Sequence, residues 1–254
     1  MYSSNFFKHQ MDIALIGYGK MGKAIEAEAI KRGHSIILKI DHNNLSALNE
    51  SNLQMADVAI EFTRPDAAFG NVWKCIEAGV PIVSGTTGWS DEMEGILPHC
   101  KEKEGSFLWA SNFSVGVNVL FKVNEYLAKI MKSFPDYNIH IKETHHTQKL
   151  DAPSGTAITL AEAINKVHPI QNSWRLIEHE QEVGENQIAI MAKREDDVPG
   201  THEVNYKSEI DILTLEHTAN NRRGFALGAI LAAEYIHDKK GVFSMEDVLF
   251  KDEI

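Results

Sequence analysis

The chain has 254 residues and carries 36 acidic against 25 basic side chains, a net charge of −11 with neutral histidines. This excess of negative charge disfavours nucleic acid and anionic membranes as partners. No apolar run approaches the roughly 20 residues of a membrane span, and the first ten residues lack the apolar core of a signal peptide. The sequence predicts a soluble cytoplasmic protein of one or two domains, with residues 1–10 a disordered extension and Met11 an alternative start.

The first strand and helix carry a dinucleotide-binding fingerprint. Asp12–Ile16 is a short apolar strand, and a helical pattern later runs to Arg32. Between them stands Gly17-Tyr18-Gly19-Lys20-Met21-Gly22, whose glycines permit a tight turn, approach of a pyrophosphate and close helix packing. A second apolar strand, Ser35–Ile40, ends at Asp41, where a carboxylate would meet the adenosine ribose.

The residues around Asp41 leave the choice of cofactor open. Asp41 alone favours NAD, because the 2′-phosphate of NADP would meet a like charge. If Lys20 or His42 faces the same pocket, it could neutralise that phosphate. The expected cofactor is therefore NADH or NADPH, and Lys39 is expected to face solvent on its strand.

Strands and helices continue to alternate through the first half of the chain. Apolar runs predict strands at 57–62, 81–84 and 106–110, with helices at 66–78 and 92–102. Such alternation indicates a doubly wound parallel sheet, which binds its ligand at the carboxyl ends of the strands. The segments at those ends, expected beside a nicotinamide, are Phe62-Thr63-Arg64, Gly85-Thr86-Thr87-Gly88 and Ala110-Ser111-Asn112-Phe113. For Arg64, an ion pair with Asp66 is an equally good interpretation.

After Phe113 the pattern changes to that of an α+β domain. A helix is predicted at 115–131 and a strand at 137–143, and later come four extended runs with no helices between them, at 174–179, 187–193, 201–207 and 210–217. Successive strands indicate a mixed or antiparallel sheet. A last helix at 223–237 is expected to return the chain to the first domain. The predicted domains are 11–113 with 221–254, and 114–220.

Residues 143–157 combine acid–base groups with a helix start. The adjacent His145 and His146 can exchange protons near neutral pH, and Lys149 adds a positive charge. Ser154 can cap a helix that Gly155-Thr156 open, so that its first N–H groups face an anion. Each piece alone has a structural explanation, but together they indicate an anion-binding acid–base site. The two cysteines lie far away and no metal-ligand spacing occurs, so no metal ion is predicted.

Several segments, in chain order, resemble the signature segments of the 4-hydroxy-tetrahydrodipicolinate (dihydrodipicolinate) reductase family. They are the glycine loop, Phe62-Thr63-Arg64-Pro65, Gly85-Thr86-Thr87-Gly88, residues 110–118, residues 143–157 and residues 221–226. The most specific is the run His-His-x-x-Lys-x-Asp-Ala-Pro-Ser-Gly-Thr. The resemblance implies an enzyme of lysine and diaminopimelate biosynthesis, and a homotetramer that assembles through a substrate-binding second domain.

The resemblance also implies a reaction and the residues that perform it. In this family a hydride passes from the dihydronicotinamide to C4 of a cyclic conjugated imine with two carboxylates, water is lost, and an acid protonates the resulting enamine. His145 matches that acid and Lys149 an essential cation. The family's carboxylate-binding groups correspond to His146, Gly155 and Thr156. Its nucleotide contacts correspond to Gly17, Met21-Gly22 and Asp41. Positions beside the nicotinamide and substrate correspond to Gly85, Thr87 and Phe113.

Some features depart from the family pattern, and two other functions would share parts of this sequence. Asp41-His42 stands where other members carry Glu-Arg, which bears on cofactor preference, and residues 170–219 form a short segment for the family. A Rossmann-type nucleotide sensor without turnover would keep the loop and the anion pocket, but it would have no need of a proton donor at His145. An aspartate or homoserine dehydrogenase would lack the His-His-x-x-Lys run.

Overall fold

The computed structural model describes residues 10–149, 151–168, 173–178 and 187–250. The chain divides into two compact units, Met1–Val115 with Arg222–Ile254, and Gly116–Asn221. Most of the expected N-terminal extension, and the end of the expected strand at 174–179, lie outside the described residues.

The strands and helices of the described residues follow the predicted alternation closely. The strands are β1 (Asp12–Ile16), β2 (Ser35–Ile40), β3 (Val58–Glu61), β4 (Ile82–Ser84), β5 (Ser106–Trp109), β6 (Asn138–His145), β7 (Ser173–Ile177), β8 (Gln187–Arg194), β9 (Thr201–Lys207), β10 (Ile212–Thr218) and β11 (Gly241–Phe243). The helices are α1 (Lys20–Lys31), α2 (Glu50–Leu53), α3 (Pro65–Glu77), α4 (Met93–Glu102), α5 (Val115–Met131), α6 (Gly155–Asn165), α7 (Arg223–Ile236) and α8 (Met245–Leu249).

The first unit is a doubly wound sheet. Its six strands lie in the order β11-β5-β4-β3-β1-β2, and every neighbouring pair is parallel. Side chains alternate between the two faces, so Leu15 packs with Ile25 of α1 and Ile230 of α7, whereas Ile16 packs with Val72 of α3. The strand order reverses between β1 and β3, which is the position where such sheets bind nucleotides.

The second unit is a mixed five-stranded sheet covered by helices. The order is β10-β9-β6-β8-β7, in which β9 runs antiparallel to both β10 and β6, while β6, β8 and β7 are parallel. Ile139 and Ile141 of β6 pack with Leu120 of α5 and Leu160 of α6. The Rossmann-type sheet with a second, mixed-sheet domain confirms the predicted fold class.

The structure differs from the sequence-based elements in two places that matter. β6 continues to His145 rather than ending at residue 143, because His145 pairs with Arg194 of β8 and its carbonyl accepts a hydrogen bond from Glu195 N at 2.8 Å. The short strand β11 pairs with β5 and adds the sixth strand. Three residues are too few to show an alternating pattern, so β11 was not predictable from local sequence.

Candidate active site

The glycine loop has the shape that a pyrophosphate needs. Gly17 has φ +97°, and a Cβ there would lie 2.0 Å from the carbonyl oxygen of Phe62. A Cβ on Gly22 would lie 2.3 Å from the carbonyl oxygen of Gly17, so both positions exclude any side chain. Gly19 is the N-cap of α1 and is open, with no atom within 4 Å of an added Cβ. The loop therefore fits a dinucleotide phosphate at a helix N-terminus.

The carboxyl end of β2 lies directly against this loop. The backbone N–H groups of Gly17 and Tyr18 donate to the carbonyl oxygen of Ile40 at 2.8 and 3.1 Å. Asp41 follows, and its Oδ1 accepts a hydrogen bond from Asn43 N at 2.7 Å. Asp41 is half-buried, whereas the neighbouring His42 is exposed, as is Lys20 in the loop. The structure thus brings Asp41 to the glycine loop, as expected for a ribose contact.

Lys39 is exposed on its strand, as expected, and its ammonium group also forms an ion pair. Its Nζ lies 2.5 Å from Glu26 on α1 and 5.0 Å from the centre of the Tyr18 ring. The Tyr18 hydroxyl donates to the same carboxylate. The hydrogen bond from Lys39 lowers the pKa of Glu26, and the one from Tyr18 lowers it further. Glu26 therefore holds the Lys39 charge against α1.

A buried carboxylate that the sequence analysis missed organises the ends of β3 and β4. Glu61 is fully buried and accepts hydrogen bonds from Ser84 Oγ at 2.6 Å, Thr86 Oγ1 at 2.8 Å and Thr63 N at 2.9 Å. Thr63 N also donates to Thr86 Oγ1 at 2.8 Å. The signal available in the sequence was an acid inside an apolar strand, which is rare without partners. Glu61 therefore fixes two of the three segments predicted beside the nicotinamide.

Aromatic rings complete this edge of the sheet. Phe62 and Phe113 have ring centroids 5.6 Å apart, and a Cβ on Gly85 would lie 2.2 Å from the Phe62 ring. The remaining predicted cofactor residues differ in exposure: Met21 and Ser111 are half-buried, Asn112 is buried, and Thr87 is exposed. Arg64 is exposed and pairs with Asp66 at 2.7 Å, which is the alternative foreseen for it.

In the second unit, α6 begins as predicted. Ser154 is the N-cap, and its hydroxyl oxygen accepts a hydrogen bond from Ala157 N at 3.2 Å. Gly155 is exposed in the first turn, and Thr156 is buried beside it. The backbone N–H of Ser154 donates to both carboxylate oxygens of Glu143 at 3.1 Å. The helix start is therefore tied to the end of β6, next to His145.

Behind the start of α6 lies a buried cluster of Glu143, His145 and His202. The register places Glu143 of β6 opposite His202 of β9, and His145 lies on the same face two residues along. Glu143 Oε2 lies 3.7 Å from His145 Nδ1 and 3.7 Å from His202 Nε2. The imidazoles meet edge to face with centroids 4.9 Å apart. No local pattern marks His202, because only strand pairing brings it here.

Both imidazoles of this cluster are held neutral at pH 7. Burial lowers the pKa of His145 to about 4, assisted by the charges of Lys149 and Arg194. Burial likewise lowers the pKa of His202 to about 3. Among the described residues, the Nδ1 atoms of His145, His202 and His146 are buried without a hydrogen-bond partner. The imidazole predicted to be the acid is therefore neutral in the resting protein. It can act as an imidazolium donor only when a bound ligand favours its charged form.

Lys149 is held by residues that the sequence analysis did not single out. Its Nζ donates to both oxygens of Asp151 at 2.8 Å. Arg194 donates to the carbonyl oxygens of Lys149 at 3.3 Å and of Asp151 at 2.6 Å, and its Nη2 lies 3.4 Å from Glu143 Oε1. Arg194 thereby ties the lysine segment to the buried cluster. Gly200 is also close, since a Cβ there would lie 3.1 Å from His145 Nε2.

The cluster also has the composition of a cation site, which the sequence did not predict. The potential ligand atoms of Glu143, His145 and His202 all lie within 4.8 Å of one another. The Glu143 oxygens, however, already accept hydrogen bonds from Ser154 N. The Glu143 carboxylate is therefore already engaged by the start of α6. Within the described residues, no helix is long and apolar enough to cross a membrane.

Comparison with known proteins gives one consistent result. Residues 11–113 match "Dihydrodipicolinate reductase, N-terminus" and residues 116–249 match "Dihydrodipicolinate reductase, C-terminus". The chain is 49% identical over 240 residues to the 4-hydroxy-tetrahydrodipicolinate reductase of Christiangramia forsetii, covering 94% of this chain and 98% of that protein. It is 37% identical over 203 residues to that of Ralstonia pickettii, covering 78% and 76%.

Solved structures agree on the fold. The dipicolinate-bound dihydrodipicolinate reductase of Paenisporosarcina sp. TG-14 superposes with a TM-score of 0.76 at 24% identity, covering 93% of this chain and 98% of that chain. An amine dehydrogenase from Mycobacterium smegmatis shares the fold at a TM-score of 0.60 and 10% identity, covering 95% and 97%. The resemblance found in the sequence is confirmed: the chain belongs to the dihydrodipicolinate reductase family, a family of pyridine-nucleotide-dependent oxidoreductases.

Proposed function

We propose that the chain reduces 4-hydroxy-tetrahydrodipicolinate to tetrahydrodipicolinate, with NADH or NADPH as reductant, in lysine and diaminopimelate biosynthesis. The observation that carries this proposal is the meeting of His145, Lys149 and the capped start of α6 at one end of β6. In this assignment the unit that contains residues 11–113 and 221–254 binds the dinucleotide. Residues 114–220 bind the substrate and mediate oligomerisation.

The second unit supplies the groups for a dianionic substrate. Lys149 contributes a positive charge, and the first turn of α6 contributes backbone N–H groups at Gly155 and Thr156. His146, whose Nδ1 is buried without a partner among the described residues, completes the carboxylate-binding set. His145 is the acid. The negative charges of the bound substrate stabilise its imidazolium, which then delivers a proton to the enamine carbon beside C4.

The first unit supplies the nucleotide site. The pyrophosphate is held by the glycine loop, which consists of Gly17, Tyr18, Gly19, Lys20, Met21 and Gly22. Asp41 accepts hydrogen bonds from the ribose hydroxyls. When bound, a dihydronicotinamide supplies the hydride. The residues that orient the ring and exclude water come from the three segments at the strand ends, two of which Glu61 joins by hydrogen bonds. They are Phe62, Thr63, Arg64, Gly85, Thr86, Thr87, Ser111, Asn112 and Phe113.

For the cofactor, we propose that NADH works at least as well as NADPH near pH 8. Asp41 repels a 2′-phosphate. The nearest strand cation, Lys39, is held by Glu26 rather than offered to the nucleotide. Lys20 and His42 are exposed near the loop, so they can still neutralise part of that charge.

We further propose a homotetramer in the cytoplasm that binds neither nucleic acid nor membrane. The edge strand β10 and the turn before it expose Ile210, Ile212 and Leu213, and unpaired apolar strand edges favour association. Cys75 and Cys100 are both free thiols, which suits a reducing compartment. Light scattering should give a mass about four times the 28.4 kDa of the chain, and a concentration-independent monomer would contradict the assembly.

A steady-state assay tests the main proposal. Freshly generated cyclic imine is mixed with NADH or NADPH, and the loss of absorbance of the reduced nicotinamide is followed. We expect turnover with both cofactors and competitive inhibition by pyridine-2,6-dicarboxylate, a planar dianion. Binding of both nucleotide and dianion without any turnover would instead support the nucleotide-sensor alternative, which membership of this reductase family disfavours.

A further inference from the structure

Glu143 is a buried carboxylate directly behind the proposed acid, and the reaction as described gives it no part. It is 0% exposed and lies on the same face of β6 as His145, two residues before it. Its Oε2 lies 3.7 Å from His145 Nδ1. Burying a carboxylate costs free energy unless hydrogen bonds or opposite charges compensate it. Its partners therefore show what it is held in place to do.

The partners hold the carboxylate on three sides. Ser154 N donates to both oxygens at 3.1 Å, and Arg194 Nη2 lies 3.4 Å from Oε1. On the third side His202 Nε2 lies 3.7 Å from Oε2, and the His202 ring is itself held by Ser154 Oγ at 3.2 Å. Because Ser154 caps α6, the carboxylate that faces the acid also fixes the helix start proposed to bind the substrate.

We propose that Glu143 is a positioning residue that acts through His145, an inference that rests on the proposed reductase function. When His145 becomes the imidazolium, its Nδ1–H turns toward Glu143 Oε2 and the 3.7 Å separation closes to a hydrogen bond. The Nε2 proton moves to the enamine carbon beside C4, so a C–H bond forms and the N–H electron pair stays on Nε2. The neutral imidazole that remains keeps its Nδ1–H on the carboxylate.

The groups that face His145 explain why an anion is needed there. Lys149, Arg194 and His146 add to the effect of burial in disfavouring the imidazolium, and Asp151 opposes them. His202, which packs edge-on against the ring, is influenced in turn by His217. On the ligand side, the negative charges of the substrate carboxylates compensate the positive charges of these cations. On the Nδ1 side, Glu143 compensates the cost of burying the imidazolium, and the described residues offer no other hydrogen-bond acceptor to that atom.

The test is Glu143→Gln, which keeps the size of the side chain and an acceptor for Ser154 N but removes the charge. The matched control is Glu203→Gln. Glu203 adjoins His202 on β9 but pairs with Lys142 at 2.7 Å, and that variant removes the same charge without facing His145. We expect Glu143→Gln to lower kcat by about 10- to 100-fold. We also expect it to move the alkaline limb of the kcat profile about one pH unit lower. Glu203→Gln should change neither.

Two further measurements separate this role from a structural one. At pH 9, above the range in which the imidazolium forms, the affinity for pyridine-2,6-dicarboxylate should not weaken in Glu143→Gln, whereas displacement of α6 would weaken it. Glu143→Asp restores the charge and should return the alkaline limb toward its wild-type position. An alkaline limb that stays in place in folded Glu143→Gln would overturn the proposal.

If Glu143→Gln does not fold, the wild-type protein decides. Histidine nitrogen-15 spectra of its complex with pyridine-2,6-dicarboxylate, assigned with His145→Gln, should show a proton on His145 Nδ1. An unprotonated Nδ1 in that complex would overturn the proposal. Lack of wild-type turnover with the cyclic imine would instead overturn the reductase function, so the two failures are distinguishable.

Discussion

Glu143 Oε2 lies midway between two imidazoles, 3.7 Å from His145 Nδ1 on its own strand and 3.7 Å from His202 Nε2 on the antiparallel neighbour. All three side chains are buried, and both imidazoles are neutral rather than imidazolium ions at pH 7. A proton donor that is neutral at rest has to be charged by its ligand. This relationship gives the acid site a measurable dependence on pH and on dianion binding.

His145→Gln should lower turnover far more than it lowers ligand affinity. A general acid contributes about 10²- to 10⁴-fold to rate, and glutamine cannot supply a proton. The measurements are kcat with NADH at pH 7 and the dissociation constant for pyridine-2,6-dicarboxylate. His237→Gln, a half-buried histidine of the first unit, is the control and should leave both near wild type. Near-normal turnover in His145→Gln would remove this residue from the acid role.

Binding of the dianion should take up a proton from solution. The pKa of His145 is about 4 in the resting protein, and nearby carboxylates raise it by favouring the imidazolium. The sign is therefore uptake, and affinity for pyridine-2,6-dicarboxylate should increase as pH falls from 8 to 6. Titration calorimetry in two buffers of different ionisation enthalpy measures the uptake. His145→Gln should abolish most of it, and equal heats in both buffers for the wild type would contradict the prediction.

The neutral imidazoles should also make the fold acid-sensitive. The pKa of His145 is about 4 when folded, against an ordinary value of 6.5, so the unfolded chain binds more protons between these values. The free energy of unfolding therefore has its full value above about pH 6.5 and falls as the pH approaches 4. Urea unfolding should show His145→Gln losing about 1–3 kcal/mol less than wild type over this range. Parallel pH dependences for the two proteins would contradict the assignment.

Local sequence patterns predicted much of the fold, most of the proposed nucleotide site and part of the acid–base cluster. The glycine loop, the end of β2 and the capped start of α6 were readable because each is a contiguous segment with its own turn or capping chemistry. His202 and Arg194 were not, since each reaches His145 or Glu143 only through the pairing of β6 with β9 and β8. Strand register is a property of the whole sheet, and no short segment encodes it.

Lys149 forms an ion pair with Asp151, so its replacement should also expose that carboxylate to a bound dianion. Lys149→Ala should weaken pyridine-2,6-dicarboxylate binding and lower kcat, because it removes a positive charge from a dianion site and leaves Asp151 facing the ligand unopposed. Lys149→Arg should restore binding only in part, since a planar guanidinium replaces a compact ammonium. Lys129→Ala removes an exposed lysine paired with Glu125 on α5 and serves as the control. Equal affinity in wild type and Lys149→Ala would show that Lys149 does not contact the dianion.

Cofactor choice should turn on Asp41 and on the Glu26–Lys39 pair. Asp41→Ala should weaken NADH, because the ribose loses an acceptor, and should spare or improve NADPH, because the 2′-phosphate loses a like charge. In wild type the preference for NADPH should increase as pH falls, since histidine side chains in general gain positive charge at lower pH. The measurements are the ratio of kcat/KM for the two cofactors against pH, and their dissociation constants from nicotinamide fluorescence.

Glu26→Gln provides the complementary change, because it releases Lys39 from a carboxylate at 2.5 Å. If the freed ammonium reaches the phosphate, NADPH binding improves while NADH binding stays constant. Glu125→Gln frees Lys129 on α5 in the same way and should alter neither cofactor. A ratio of kcat/KM that is unchanged in Asp41→Ala would show that Asp41 does not face the ribose. An unchanged ratio in Glu26→Gln alone would confine Lys39 to packing on Tyr18 and leave the phosphate to Lys20 and His42.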